Sequence, residues 1–235
     1  MTGQGLPAEL GRTVRAALEL DTPLKERLAA LANRTRTQHP DFAATIDRLV
    51  ARLRESGAGS TVPGPGDLMP PFLLPDDHGR LMRLGDIIAD GPAAVCFHRG
   101  HWCPFCRTNI SALAKAQDEI MALGARIVAI TPDRATYAAQ LRSLSGATFP
   151  ILTDLDNGYA LSLDLAIWLD REMQGFVRER GHDLPKFQGN ASWMVPIPAT
   201  FVVRKDGVIG ARYLDPDYRQ RMSIEDLIEA LKQAR

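Results

Sequence analysis

Cysteine is scarce in this chain: three residues in 235, at positions 96, 103 and 106. That is too few for a disulfide scaffold. In a reducing compartment a close pair is more often catalytic or metal-binding than structural. No charge of one sign predominates, because 28 Lys and Arg balance 28 Asp and Glu and no basic run occurs. That balance gives no reason to expect nucleic acid or an acidic membrane surface as a partner. No apolar stretch is long enough to cross a bilayer. The opening residues, Met1 to Glu9, lack the charged start and apolar core of a secretory signal. The expectation is a soluble, cytoplasmic protein. Internal repeats and low-complexity tracts are also missing. The length suits one core of ordinary size, or one domain with a substantial extension.

What the chain does contain is patterned. From 8 to 55, apolar residues recur at three- and four-residue spacing: Leu10, Val14, Leu18; Leu24, Leu28, Leu31; Phe42, Ile46, Leu49, Leu53. This predicts two or three amphipathic helices, with Pro23 and Pro40 in first turns. Their stripes need a partner, either the main domain or a second copy of the chain. From Ser56 to Pro71 glycine and proline break any regular element. The expected division is therefore a helical extension over 1–56, a linker over 57–71 and a main domain over 72–235.

Within the main domain, Phe72 to Leu84 reads as a short hairpin turning at Asp77-His78-Gly79. Ala93 to Phe97 is a continuous apolar run that suits a strand buried on both faces. Pro104 opens a helix that Gly124 closes. Strands follow at 126–130 and 149–152, with a helix over 134–144 between them. Residues 157–180 read as mostly helical, and a loop from Gly181 leads to Trp193. Thr200–Val203 and Val208–Tyr213 flank Lys205-Asp206-Gly207 as a hairpin. Ser223 is placed to cap a last helix. The order predicts an α/β protein, a mixed central sheet with helices on both faces, carrying a helical insertion before its C-terminal hairpin.

Cys103 and Cys106 fall where the strand ending at Phe97 gives way to the helix opening at Pro104. Residues three apart share a helical face, close enough for a disulfide. The first thiol meets unpaired backbone N–H groups and the positive end of the helix dipole, which favour thiolate over thiol. Arg99 and Arg107 are near in sequence. This predicts that Cys103 reacts first and that Cys106, projecting from inside the helix and less exposed, resolves it. Other readings stay open. The pair could be half of a zinc site, but no second CxxC exists, and Cys96, His98 and His101 bunch on one side of it. No metal and no cofactor are expected. Cys96, inside the strand, reads as a core residue. His98 and His101 read as scaffold ahead of proton shuttles, and Trp102 as a shield over the thiols. Pro198, directly before a strand, removes a ladder donor and can adopt the cis form. There it either exposes backbone groups for an extended substrate or is an ordinary edge proline.

At these residues the sequence resembles the thioredoxin-fold superfamily, and more narrowly the peroxiredoxin-like AhpC/TSA proteins that carry a CxxC. The carriers are Gly66-Asp67, Pro71-Phe72, Cys96 to Cys106, Phe149 to Asp154, Gly181 to Pro185, Trp193 to Val202 and Asp217-Tyr218. The resemblance implies a thioredoxin-like fold and a redox-active cysteine that reduces peroxides or disulfides. It also implies a thioredoxin- or glutathione-type reductant. The departures are definite. Gly100 stands where the family usually has Thr or Ser, Cys96 where it has Pro, and Pro198 where it has a distal Arg. Phe97 takes the place of the buried acid of thioredoxin-type oxidoreductases.

The expected function is a thiol peroxidase acting through a Cys103 sulfenic acid that Cys106 resolves. Arg99, Trp102, Pro104 and Pro198 are its candidate substrate-binding or thiolate-stabilising residues. The alternatives are a thiol–disulfide oxidoreductase and a non-catalytic, redox-responsive binding module. A homodimer would use the stripes before Ser56 or the segment around Trp168 to Phe176, unless these cover the chain's own sheet.

Overall fold

A computed structural model describes residues 22–235. Leu10, Val14 and Leu18 lie outside the described residues. The extension contributes α1 (Leu24–Gln38) and α2 (Pro40–Glu55). Pro40 occupies the first helical turn of α2, whereas Pro23 caps α1 from outside. After the turn-rich segment come β1 (Leu73–Pro75), β2 (Leu81–Arg83) and α3 (Leu84–Ile88). The main run continues as β3 (Ala93–Phe97), α4 (Pro104–Ala122), β4 (Arg126–Thr131), α5 (Ala135–Ser145) and β5 (Ile151–Thr153). Then follow α6 (Gly158–Ser162), β6 (Ala166–Trp168), α7 (Arg171–Glu179) and α8 (Leu184–Gln188). The chain ends with β7 (Met194–Pro196), β8 (Ala199–Val203), β9 (Ile209–Leu214) and α9 (Ile224–Gln233).

Five strands form the central sheet in the order β5-β4-β3-β8-β9. The first three run parallel, and β8 and β9 are antiparallel to their neighbours. Strand β3 lies in the middle and every residue of it is buried, as its unbroken apolar run requires. Its side chains alternate between two cores. Ala94 and Cys96 join Ile110, Leu113, Ile120, Leu141, Leu227 and Leu231, beneath α4, α5 and α9. Ala93, Val95 and Phe97 join Phe72, Ile87 and Phe201, under the β1–β2 hairpin and α3. Val62 and Met69, from the segment between extension and sheet, are buried in this second core.

A third cluster sits at the carboxyl end of β3. It brings Leu24, Leu28, Leu31, Ile46, Leu49 and Val50 of the extension against Trp102, Cys103, Phe105 and Cys106. Met173 and Val177 of α7 and Tyr218 complete it. The stripes of α1 and α2 thus find their partner in the chain's own main body. Arg48–Glu172 and Arg52–Asp170 ion pairs join α2 to α7 at the surface. Exposed pairs of this kind add little, so burial is what holds the extension down. Ser223 accepts the Asp226 N–H and caps α9, as its position predicts.

Two expectations are refined. Residues 157–180 are mostly helical, in α6 and α7, but Asp164 turns to φ +58° and the chain extends between them as β6, which pairs antiparallel with β7. Leu161, Leu165 and Trp168 mimic a helical stripe, and the pairing partner, nearly thirty residues on, leaves no local signal. The loop after Gly181 also contains α8, capped by Asp183, whose side chain accepts the Lys186 N–H.

Ile46 is 1% exposed at the centre of the extension's contact. Replacing it with alanine should cost about 2–5 kcal/mol, the range for a large aliphatic side chain in a packed core. Urea denaturation measures this, and a loss under about 0.5 kcal/mol would mean that α2 is not packed as described.

Candidate active site

Strand β3 ends at Phe97, and residues 98–103 turn the chain into α4. The turn closes with the Cys103 N–H donating to the Gly100 carbonyl over 3.2 Å. Cys103 is extended and caps α4, Pro104 supplies the first helical position, and Cys106 lies one turn further in. Pro104 fits there because its missing N–H would have had no helical partner. Both thiols are reduced and buried, at 1% and 0% exposure. The expected contrast between an exposed first cysteine and a sheltered second one is therefore absent.

The polar groups converge on Cys106. Its Sγ accepts the Arg99 backbone N–H at 3.3 Å and an Arg221 Nη2–H at 3.5 Å. Burial alone would raise its pKa, but the Cys103 thiol donating to it, the Arg221 charge and nearby His98 together hold it well below the ordinary thiol range. Cys103 moves the opposite way, raised by burial and by the adjacent Cys106 sulfur. Of the two thiols, Cys106 is therefore the one whose anion its surroundings favour. Cys96 stays a core thiol: burial pushes it up to about 12.

Arg99 is 2% exposed, with its guanidinium carbon 3.9 Å from the Tyr218 ring centroid and 5.0 Å from that of Trp102. These aromatic faces hold a cation that burial would otherwise disfavour. Arg107 is half-buried near Cys103, and burial lowers its pKa. Among the described residues, Arg99, Arg107 and Arg221 form no ion pair with a carboxylate. Arg221 contacts the Cys106 sulfur with its side chain and Arg99 with its backbone N–H. Arg221 also lines a groove of about 520 Å³ beside Leu28 and Arg36 of α1, which brings this cation to the surface.

His98 is buried as scaffold, with Nδ1 3.1 Å from the Cys96 carbonyl and Nε2 2.9 Å from Asn109 Oδ1. His101 stacks on Tyr137 at 4.7 Å and meets Asp133. Trp102 is buried in the same cluster as the two thiols, beside His182 at 5.7 Å. Pro198 is buried directly before β8, and the described chain has no cis peptide bond. No hydrogen bond among the described residues joins Pro198's neighbours to either sulfur. Arg99, Trp102 and Pro104 thus gather at the thiols, while Pro198 is not brought into recorded contact with them. Two participants escape a reading of the sequence, Arg221 and Asp133. Arg221 follows the Asp217-Tyr218 carrier by only a few residues. Asp133 stands just past the carboxyl end of β4, where open α/β sheets collect their functional groups.

Metal ligands in suitable groups of three or more do not occur among the described residues. No described helix is long and apolar enough to cross a membrane.

The AhpC/TSA family model matches residues 65–212. A Mycobacterium tuberculosis protein described as a peroxiredoxin is 32% identical over 92 residues, covering 39% of this chain and 58% of its own. A 1-Cys peroxiredoxin of Hordeum vulgare is 25% identical over 122 residues, covering 49% of this chain and 56% of its own. The chain therefore spans under two thirds of the curated relatives it matches. Among solved structures, Peroxidoxin BcpB of Mycobacterium tuberculosis superimposes with a TM-score of 0.57 at 19% identity, over 73% of this chain and 98% of that one. Peroxiredoxin 6 of Arenicola marina, as a mutant, gives 0.55 at 15% identity over 71% of each. At these identities the likeness shows the fold, which is thioredoxin-like.

The charge assignment is testable by following thiolate absorbance against pH. The reduced protein should show one step below the ordinary cysteine range, from Cys106, with Cys103 and Cys96 titrating above it. Arg221→Gln should move the low step upward, and Cys103→Ser should retain it. If Cys103→Ser lost the low step and Cys106→Ser kept it, the charge would sit on Cys103.

Proposed function

The chain belongs to the AhpC/TSA family, and we propose that it is a thiol peroxidase whose Cys103–Cys106 pair reduces hydrogen peroxide or organic hydroperoxides. The observation that carries this reading is a buried dithiol at a helix N-terminus, surrounded by three arginines that have no carboxylate of their own. Such a site stabilises a thiolate and the oxyanion that leaves when a peroxide bond breaks.

The reaction starts from the resting charge on Cys106. The Cys103 proton passes along the existing contact to Cys106, which frees a thiolate on Cys103. That sulfur has fewer donors, and a less stabilised thiolate is the stronger nucleophile. It attacks one peroxide oxygen: an S–O bond forms, the O–O bond breaks and the second oxygen leaves as hydroxide or alkoxide to be protonated. Sulfur is oxidised to a sulfenic acid while the peroxide is reduced. Cys106 then attacks the sulfenic sulfur, water departs, and a Cys103–Cys106 disulfide remains. An external dithiol of the thioredoxin or glutathione type returns both thiols. A cytoplasmic location suits this cycle, since the resting enzyme needs a reducing surrounding.

A second reading, a thiol–disulfide oxidoreductase, is favoured by Gly100. Its φ of +133° leaves no place for the hydroxyl side chain found there in most of the family. In that case Cys103 forms a mixed disulfide and Cys106 releases it.

Rapid mixing of the reduced protein with hydrogen peroxide, and separately with a disulfide, distinguishes these. Peroxide should consume two thiols per chain, far faster than it oxidises a free thiol, and Cys103→Ser should abolish that phase. Reaction with peroxide at the free-thiol rate, together with rapid disulfide exchange, would establish the second reading. Inertness to both would leave a redox-responsive module. A sulfenic acid trapped in Cys106→Ser should sit on Cys103; one trapped on Cys106 in Cys103→Ser instead would reverse the order.

A further inference from the structure

Arg221 faces two ways. Its Nη2–H donates to Cys106 Sγ at 3.5 Å, and its side chain also lines the groove of about 520 Å³ between α1 and the segment linking β9 to α9. Its Nη1 donates to the Tyr218 and Gln220 carbonyls. Nε, on the same edge of the guanidinium as Nη2, is buried and has no partner. The sulfur therefore uses one of the two donors on that edge. A carboxylate takes both, in two parallel hydrogen bonds, and is the acceptor that the edge matches in shape.

The rest of the groove suits an anion with an aliphatic body. Its volume is that of a small-molecule site. On α1, Lys25 and Arg36 bracket Leu28, Ala29 and Ala32, which places a short apolar strip between two cations. Arg36 is paired with Asp47, and Arg219 on the other wall with Asp47 and Asp217. Lys25 and Arg221, one from each wall, form no ion pair among the described residues. Against these two cations stands one unpaired lining acid, Asp226.

We propose that this groove binds a small aliphatic dicarboxylate, with one carboxylate on Arg221 and the other on Lys25, and that it binds more tightly when the dithiol is oxidised. Ligand and sulfur compete for one guanidinium. In the reduced protein a Cys106 anion holds Nη2; in the disulfide that sulfur is neutral, and both donors of the edge turn to the groove. By linkage, a bound dicarboxylate favours the disulfide by the same factor. The state of a buried pair is thus read at the surface without opening the apolar roof. The inference goes beyond the choice of substrate and rests only on the pair cycling between dithiol and disulfide, which both catalytic readings share.

Calorimetric titration of the full chain with glutarate tests this, at about pH 8, below the ordinary cysteine pKa of about 8.5, and against sodium chloride of equal ionic strength. The disulfide form should bind about tenfold more tightly than the reduced form, within the usual range of coupling between two sites. Reduced Cys106→Ser, with neither thiolate nor disulfide at that position, should bind as the disulfide form does. Arg221→Gln should abolish the difference between the two redox states. Lys25→Gln should weaken binding about threefold in both states, as loss of an exposed ion pair does, and leave their ratio unchanged. Equal affinity for reduced wild type, disulfide form and Cys106→Ser would overturn the coupling. Absence of glutarate binding above the chloride control would overturn the site, and indifference to Lys25→Gln would overturn the second carboxylate. If peroxide and disulfide both leave the thiols intact, the catalytic readings fail, and the comparison of reduced wild type with Cys106→Ser still decides this inference.

Discussion

A guanidinium cannot be stored in a protein interior without something negative or π-rich beside it. Arg99 is all but fully buried, clasped between the rings of Tyr218 and Trp102, and its backbone N–H points at Cys106. Arg221 reaches the same sulfur from the far end of the chain. The Cys106 sulfur is the group whose anion this arrangement favours. Charge burial of this kind demands that water stay out, because its worth falls steeply as the dielectric rises. The apolar roof built by α1, α2 and α7 over the two cysteines meets that demand. The extension is therefore part of the electrostatics of the site as well as of its packing.

Much of this was legible locally. The buried strand at 93–97, the proline that opens α4 and the i, i+3 cysteines each carry their signal within a few residues, so the turn and its thiols could be located directly. The C-terminal hairpin and the Ser223 cap were equally local. Long-range pairings were not. Strand β6 has three residues and a partner at 194–196, and its Leu and Trp spacing imitates a helix. Arg221 meets Cys106 across 115 positions, and Asp133 meets His101 across 32. The local signals near them, the Asp217-Tyr218 carrier before Arg221 and the carboxyl end of β4 before Asp133, point to the neighbourhood but not to the contact.

The charge on the sulfurs marks a different kind of limit. A helix N-terminus favours the anion on Cys103, and that argument is sound for the field of the helix alone. In the folded chain the helix field competes with two explicit donors on Cys106, and short contacts outweigh a diffuse dipole. Gly100 is a comparable case. Read alone it is a missing hydroxyl; in the fold it is the one residue type that leaves room between Trp102 and Asp133.

The Arg221–Cys106 contact has a thermodynamic consequence for the redox couple. Closing the proposed Cys103–Cys106 disulfide would remove any thiolate there and leave Arg99 and Arg221 without an anion, so the contact would stabilise only the reduced protein. Every contribution that lowers the thiol pKa must therefore raise the reduction potential of the couple, as it does in strongly oxidising dithiol proteins. In the proposed cycle the oxidised form would therefore be electron-hungry, and a mild dithiol would suffice to reduce it.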